Sequence, residues 1–210
     1  GTLFVDGTAG DDAIAIERRS VTLNGRTFAV ARHDRVRVDG GEGLDTLTTA
    51  AGHARAAGDR VRIDDAEIDG VEILRLQGDA TVGDLSATDT FRVDVLGADR
   101  TTVLGSEDDD QISIGTFGVL GPTFVRVLDP QPTDRLTVDG RGGDDIISAS
   151  IATLKLTLAG GAGDNVLLGG PGDDLLIGGD GFDDVKGGRG NDTALLRGGF
   201  DRFSWTDGDG

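Results

Sequence analysis

The sequence predicts an all-β protein: a right-handed parallel β-helix over residues 1–138 that runs into a parallel β-roll over 139–195, with 196–210 as a C-terminal cap or a truncated continuation. Three observations carry that prediction. Residues 160–195, GGAGDNVLLGGPGDDLLIGGDGFDDVKGGRGNDTAL, repeat every nine residues without slippage. Short Val/Ile/Leu runs recur along the rest of the chain, and no segment combines helical periodicity, caps and length.

The repeat explains itself mechanically. Glycines open units at 160, 169, 178 and 187, the sixth positions are Asn165, Asp174, Asp183 and Asp192, and the eighth are Leu167, Leu176, Val185 and Ala194. A six-residue glycine-rich turn reverses the chain, and a three-residue strand with its middle side chain inward carries it back. Two units make one 18-residue coil, so units 160 and 178 stack on one edge and 169 and 187 on the other. No unit buries its apolar residue alone, and the stack is therefore the fold.

Weaker copies lie upstream. GTAGDDAIA begins at Gly7, GGEGLDTLT at Gly40, GSEDDDQIS at Gly105 and DGRGGDDII at Asp139, which puts Asp12, Asp45, Asp110 and Asp144 at sixth positions. Their spacings to Asn165 and Asp183 are 33, 65, 34, 21 and 18 residues. The long gap implies a degenerate turn near LRLQGDAT, where Gly78 and Asp79 stand. The expected arrangement is one continuous column of turns, joined by large, roughly three-sided coils and then by tight flat ones. The stretches RVRVDG, VEILRL, FRVDV, TFVRVL, DRLTVDG and LKLTLAG read as its parallel strands. The stretch LRGGFDRFSW is expected to leave the register, with Phe200, Phe203 and Trp205 covering the last coil.

Composition excludes several functions. The 36 glycines and 4% aromatic residues are unusual for a globular enzyme, yet 37% apolar content argues against disorder. A net charge of −18 makes nucleic acid a poor partner and demands neutralisation by bound cations or tolerance of self-repulsion. With no cysteine, disulfides, zinc thiolates and cysteine nucleophiles are excluded. No apolar run reaches the roughly 18 residues of a membrane helix, so no membrane span is expected. Both ends read as repeat interiors, and the chain is expected to be a piece of a longer one.

Units 160–195 resemble the GGxGxDxUx nonapeptides of bacterial RTX proteins, and the phrases VDGGEGLDTL and DGRGGDDIISAS resemble the degenerate coils that precede such arrays in secreted calcium-binding proteins. The chemistry agrees: calcium takes six to eight oxygens, which tight turns supply as main-chain carbonyls and sixth-position carboxylates. The resemblance implies three ion sites. One joins Gly161, Gly163 and Asn165 to Gly178, Asp180 and Asp183; a second joins Gly170, Gly172 and Asp174 to Gly187, Arg189 and Asp192; a third joins Gly140, Gly142 and Asp144 to Gly160, Ala162 and Asn165. Asn165 offers an oxygen without charge, so both sites sharing it are expected to be weaker than the Asp174–Asp192 site. For Asp12 and Asp45 an ordinary turn is the preferred reading, and Asp110 stands between turn and ligand.

The function expected is a calcium-folded structural or adhesion module of a secreted or cell-surface protein, exported by type I secretion as the resemblance implies. The alternative is a β-helical carbohydrate-acting enzyme of lyase or epimerase type, or its non-catalytic module, although Tyr is absent and the acidic residues sit at turns. His33 and His53 are expected to be structural or solvated rather than catalytic. A third reading is an interaction surface for a carbohydrate, a cell-surface partner or a second copy, along Val166, Leu168, Leu175, Ile177 and Leu195.

Overall fold

The computed structural model describes residues 1–204 apart from 33, 51, 52, 58, 65, 89, 91, 117, 150, 151 and 153, with the backbone alone at 56 and 57. Among the described residues the regular structure is entirely β, and every strand belongs to one of two sheets, of 11 and 13 strands.

The chain passes back and forth between these sheets. Strand β1 (Thr2–Thr8) opens the first sheet and β2 (Ala13–Glu17) the second, where β3 (Ser20–Leu23) and β4 (Arg26–Ala29) add an antiparallel meander. The chain returns as β5 (Arg35–Gly41), parallel to β1, and crosses to β6 (Thr46–Ala50), parallel to β2. A second excursion, β7 (His53–Ala57), β8 (Arg60–Ile63) and β9 (Ala66–Asp69), lies in the first sheet, with β9 parallel to β5. Then β10 (Ile73–Gln77), β11 (Ala80–Val82), β12 (Arg92–Leu96) and β13 (Arg100–Leu104) alternate between the sheets. A third antiparallel excursion follows in β14 (Gln111–Gly115), β15 (Gly118–Leu120) and β16 (Phe124–Leu128).

The long coils expected to be three-sided are therefore two-sided, and their extra length lies in hairpins within a sheet. Asn24 and Gly25, both at positive φ (48° and 82°), make the reversal between β3 and β4, the backbone that Asn-Gly favours in a tight hairpin.

From residue 135 the winding is regular. Strands β17 (Arg135–Gly142), β19 (Lys155–Ala162), β21 (Leu175–Gly181) and β23 (Thr193–Gly199) stack in parallel in the first sheet. Alternating with them along the chain, β18 (Ile146–Ser148), β20 (Val166–Leu168), β22 (Asp184–Lys186) and β24 (Arg202–Ser204) stack in the second. Only the second-sheet strands keep the expected three-residue length; those of the first sheet run on into the glycines and pair there as well, Gly161 opposite Gly179 and Gly179 opposite Arg197.

The core is a thin aliphatic layer between the sheets. Leu167, Leu176 and Val185 are fully buried as the period predicts, joined by Leu136, Val138, Leu156, Leu158 and Ile147. Ala194 is half-buried against them. The outward flanks Val166, Leu168, Leu175 and Ile177 are partly covered, while Leu195 is exposed.

Contrary to expectation, LRGGFDRFS stays in register. Val185 pairs with Phe203 across β22 and β24, so Phe203 occupies the inward eighth position of a fifth, degenerate unit instead of a cap. Phe200 is 89% exposed and covers nothing, and Trp205 lies outside the described residues.

Candidate metal centre

At most crossings from the first sheet to the second an acidic or amide residue at the end of the turn points inward, and hydrogen bonds weld these residues into a column. The Oδ1 atom of one sixth position accepts the main-chain N–H of its counterpart one coil earlier. Asp145 accepts from Asp110 (2.8 Å), Asn165 from Asp145 (3.1 Å), Asp183 from Asn165 (3.1 Å) and Asp201 from Asp183 (3.1 Å). Near the N-terminus Asp45 accepts from Asp12 (2.8 Å), and the Glu72 carboxylate accepts from Asp45 (2.7 Å).

On the opposite edge the same bond joins Asp174 to Asp192 (2.9 Å), while Asp174 itself accepts the N–H of Leu156 (2.9 Å). A second ladder of fifth-position carboxylates runs the other way: Asp109, Asp144 and Asp164 accept from Asp144, Asp164 and Phe182 of the following coil. Asp173 does the same for Asn191.

The second carboxylate oxygen of the sixth position decides what the turns lack. The Oδ2 atoms of Asp45, Asp145, Asp183 and Asp192 are buried without a hydrogen-bond donor. A buried carboxylate oxygen left unpaired is costly, and the structure compensates at other turns. Thr8 donates its N–H and Asn24 its amide to Asp12, and Ser106 donates N–H and hydroxyl to Asp110. Those two residues therefore behave as turn formers.

The unpaired oxygens of Asp45, Asp145 and Asp183 also face a main-chain oxygen across a space that a side chain would fill. A Cβ placed on Gly140 would lie closer than 3.0 Å to both Asp145 Oδ2 and the Gly160 carbonyl, and one on Gly178 to Asp183 Oδ2 and the Leu196 carbonyl. Oxygens converging on a gap kept open by glycine suit a hard cation. Among the described residues no three acidic or histidine side chains gather at one point, so an ion held here would need main-chain carbonyls besides carboxylates.

The electrostatics point the same way. Burial pushes the Asp145 carboxyl up to about 6, with Asp110, Asp109 and Asp139 adding repulsion against the bond from Asp110 N–H. Burial likewise raises Asp174, assisted by Asp192 and Asp173. These groups are short of positive charge.

The expected site residues fall as follows. In the first set, Gly161 and Asp180 lie on neighbouring strands, Gly163 N–H donates to the Asp180 carbonyl (3.0 Å), and Asn165 donates its amide to Asp183 Oδ1 (3.0 Å). In the second, Arg189 N–H donates to the Gly170 carbonyl (3.0 Å), Gly190 stacks on Gly172, and Asp174 meets Asp192. In the third, Gly142 pairs with Ala162 and Gly140 stacks on Gly160, but the sixth position belongs to Asp145. Asp144 is a fifth-position residue whose carboxylate accepts the Asp164 N–H, and it does not meet Asn165. The reason is phase: Leu136 and Val138 point inward, so Gly140 and not Asp139 opens the turn.

Asp201 and Glu72 were not anticipated. Asp201 stands nine residues beyond Asp192, a spacing already visible in the period; Glu72 replaces Asp and its turn has only Gly70. Gly78 and Asp79, the anticipated degenerate turn, lie on the other edge, where Asp79 accepts the N–H of Arg100. The column is accordingly broken, with acidic turns through Glu72 and again from Asp110 onward.

Residues 159–194 match the family model of the RTX calcium-binding nonapeptide repeat in four copies, at the segment that carries the paired carboxylates. No curated protein and no solved structure matches the chain. Residues 159–194 are thus four RTX calcium-binding nonapeptide repeats, wound as two coils of a β-roll.

Proposed function

We propose that this chain is a non-catalytic module of a secreted or cell-surface protein, in which calcium binding completes the roll and the finished stack serves as a stabilising or adhesive scaffold. The observation that carries this reading is the set of buried, donor-free carboxylate oxygens at Asp145, Asp183 and Asp192, in or beside the four repeats. When bound there, calcium supplies the positive charge that the column lacks, held by sixth-position side chains and turn carbonyls of successive coils. Without it, stacked carboxylates repel one another and the glycine-rich turns retain their entropy.

Extracellular calcium modules bind at about 10⁻⁴ to 10⁻³ M. A site of that affinity leaves the chain loose at cytosolic calcium and folds it outside the cell, which fits export of an unfolded chain by type I secretion. The acidic side chains support the non-catalytic reading, since they are engaged in main-chain hydrogen bonds along the stack.

Titration of the metal-stripped chain with calcium, followed by far-UV circular dichroism with magnesium as control, tests the proposal. A cooperative gain of β signal with calcium alone is expected, shifted to higher calcium in the Asp174→Ala, Asp192→Ala variant. An identical folded spectrum with and without calcium sinks it.

A further inference from the structure

We infer that a cleft between the two sheets, on the edge away from the 8–12 and 41–45 turns, binds a small carboxylic acid with an apolar body and a hydroxyl group. The cleft has a volume of about 590 Å³, a size suited to a small ligand. It opens where the antiparallel excursions β2–β3–β4 and β7–β8–β9 interrupt the winding. Strands β2 and β6 and residues 30–34 line one side, and β5, β8 and β9 line the other.

Its walls are apolar and hold one inward hydroxyl. Ile16, Val30, Val36, Ile63 and Ala66 form the walls. Thr49, only 9% exposed, lines the cleft in the inward phase of Leu47, and it stands in register with Ile16 and Leu76 on the neighbouring strands. Its side chain has no hydrogen-bond partner among the described residues. A buried hydroxyl in an aliphatic layer is costly until something bonds to it, so Thr49 marks where a ligand's polar group belongs.

The mouth supplies free donors. Arg18, Arg19 and Arg32 stand there exposed, and none of their side chains has an ion pair or hydrogen bond among the described residues. The acids beside them are Glu17, which accepts the Ser20 hydroxyl (3.2 Å), Asp34, which meets the amino group of Gly1 (2.6 Å), and Asp64. The mouth therefore escapes the negative excess of a chain at −18, and its forked guanidinium donors match a carboxylate. Its two arginine-bearing loops are tied together, since Val30 N–H donates to the Arg19 carbonyl (2.8 Å) and Asp34 N–H to that of Ala31 (3.0 Å).

Guanidiniums at the mouth, aliphatic walls and a hydroxyl within set the order of the ligand: carboxylate outward, apolar body between, hydroxyl inward. Calorimetry on the full 210-residue chain in saturating calcium tests this, with para-hydroxyphenylacetate as the probe and phenylacetate as its partner without the hydroxyl. Wild type is expected to bind one equivalent of the probe. The Arg18→Gln, Arg32→Gln variant is expected to lose about tenfold or more in affinity for both acids. Thr49→Val keeps the shape of the side chain, and it is expected to weaken the hydroxylated acid roughly fivefold while leaving phenylacetate unchanged.

No saturable binding of either acid, by a chain that circular dichroism shows to be folded in calcium, would overturn the site and leave the calcium-folded roll intact. Equal affinities in wild type and the arginine variant would place the probe elsewhere and overturn it as well. A Thr49→Val variant that weakens both acids alike would overturn the hydroxyl contact. The cleft uses no residue of the nonapeptide repeats, so a chain that stays folded in chelator and binds the probe there would remove the calcium reading alone.

Discussion

Asn165 is the one sixth-position residue of the four repeats without a charge, and it shows how a single atom sets the demand for metal. Its NH₂ donates to the Gly163 carbonyl and to Asp183 Oδ1, each at 3.0 Å, where a carboxylate would have nothing to offer. Asn165→Asp loses both bonds and places a third charge between Asp145 and Asp183. In chelator this variant is expected to keep less residual β signal than wild type in far-UV circular dichroism, because the lost bonds cost about 1–3 kcal/mol. In calcium the order reverses, with the folding midpoint moving to lower calcium.

Asp145 titrates in the same metal-free state. Its carboxyl is raised to about 6 from 3.8, so the folded chain holds a proton that the unfolded chain has released at intermediate pH. The contribution of protonated Asp145 to the order of the calcium-free roll is therefore full below about pH 4 and is lost as the pH rises through about 6. The residual far-UV β signal in chelator, measured from pH 4.5 to 7, is expected to fall with pH, and to lose most of that dependence in Asp145→Asn.

Among the elements, strands and turns differed in how plainly the sequence announced them. The nine-residue period located β20, β21, β22 and β23 because each unit places one apolar residue inward and one glycine at the turn. The hairpins β2–β3–β4 and β7–β8–β9 escaped, since a parallel coil was expected wherever β-branched residues alternated. Asn24-Gly25 was nevertheless a readable hairpin signal. The slip from Asp145 to Asp144 has a similar origin: GRGGDD admits two frames, and only the inward phase of Leu136 and Val138 selects one. At the earlier turn Val36 and Val38 point inward in the same phase, and Gly40 opens that turn.

The fifth unit carries its own prediction. Asp201 accepts the N–H of Asp183, and Phe203 packs against the core through the β22–β24 pairing. A chain ending at residue 195 lacks both and is expected to need several-fold more calcium to reach half-folding than the full chain, measured by the same dichroism titration. Equal midpoints would show that the unit is a passive extension.

At the level of the whole molecule, two sheets share a narrow aliphatic core and two edges share the acidic turns. The net charge of −18 is concentrated by the fold itself, because stacking brings like residues above one another on both edges. The overall architecture was legible from periodicity and composition, which report how side chains alternate between core and solvent. The break in the acidic column was not, since hairpin strands intervene there, β8 and β7 between β9 and β11 in the first sheet and β15 and β16 between β14 and β12 in the second, a long-range choice that local patterns do not encode.

The alternation of long first-sheet strands with three-residue second-sheet strands also restricts how a gene for such a roll changes length. Asn165, Asp183 and Asp201 recur at 18-residue steps, so an in-frame duplication or deletion of 18 codons adds or removes one whole coil and returns each later strand to its own sheet. A change of nine codons transposes everything downstream, setting seven-residue strands against three-residue ones. Heritable variation in this region is thereby quantised in coils, although the visible repeat is half that size.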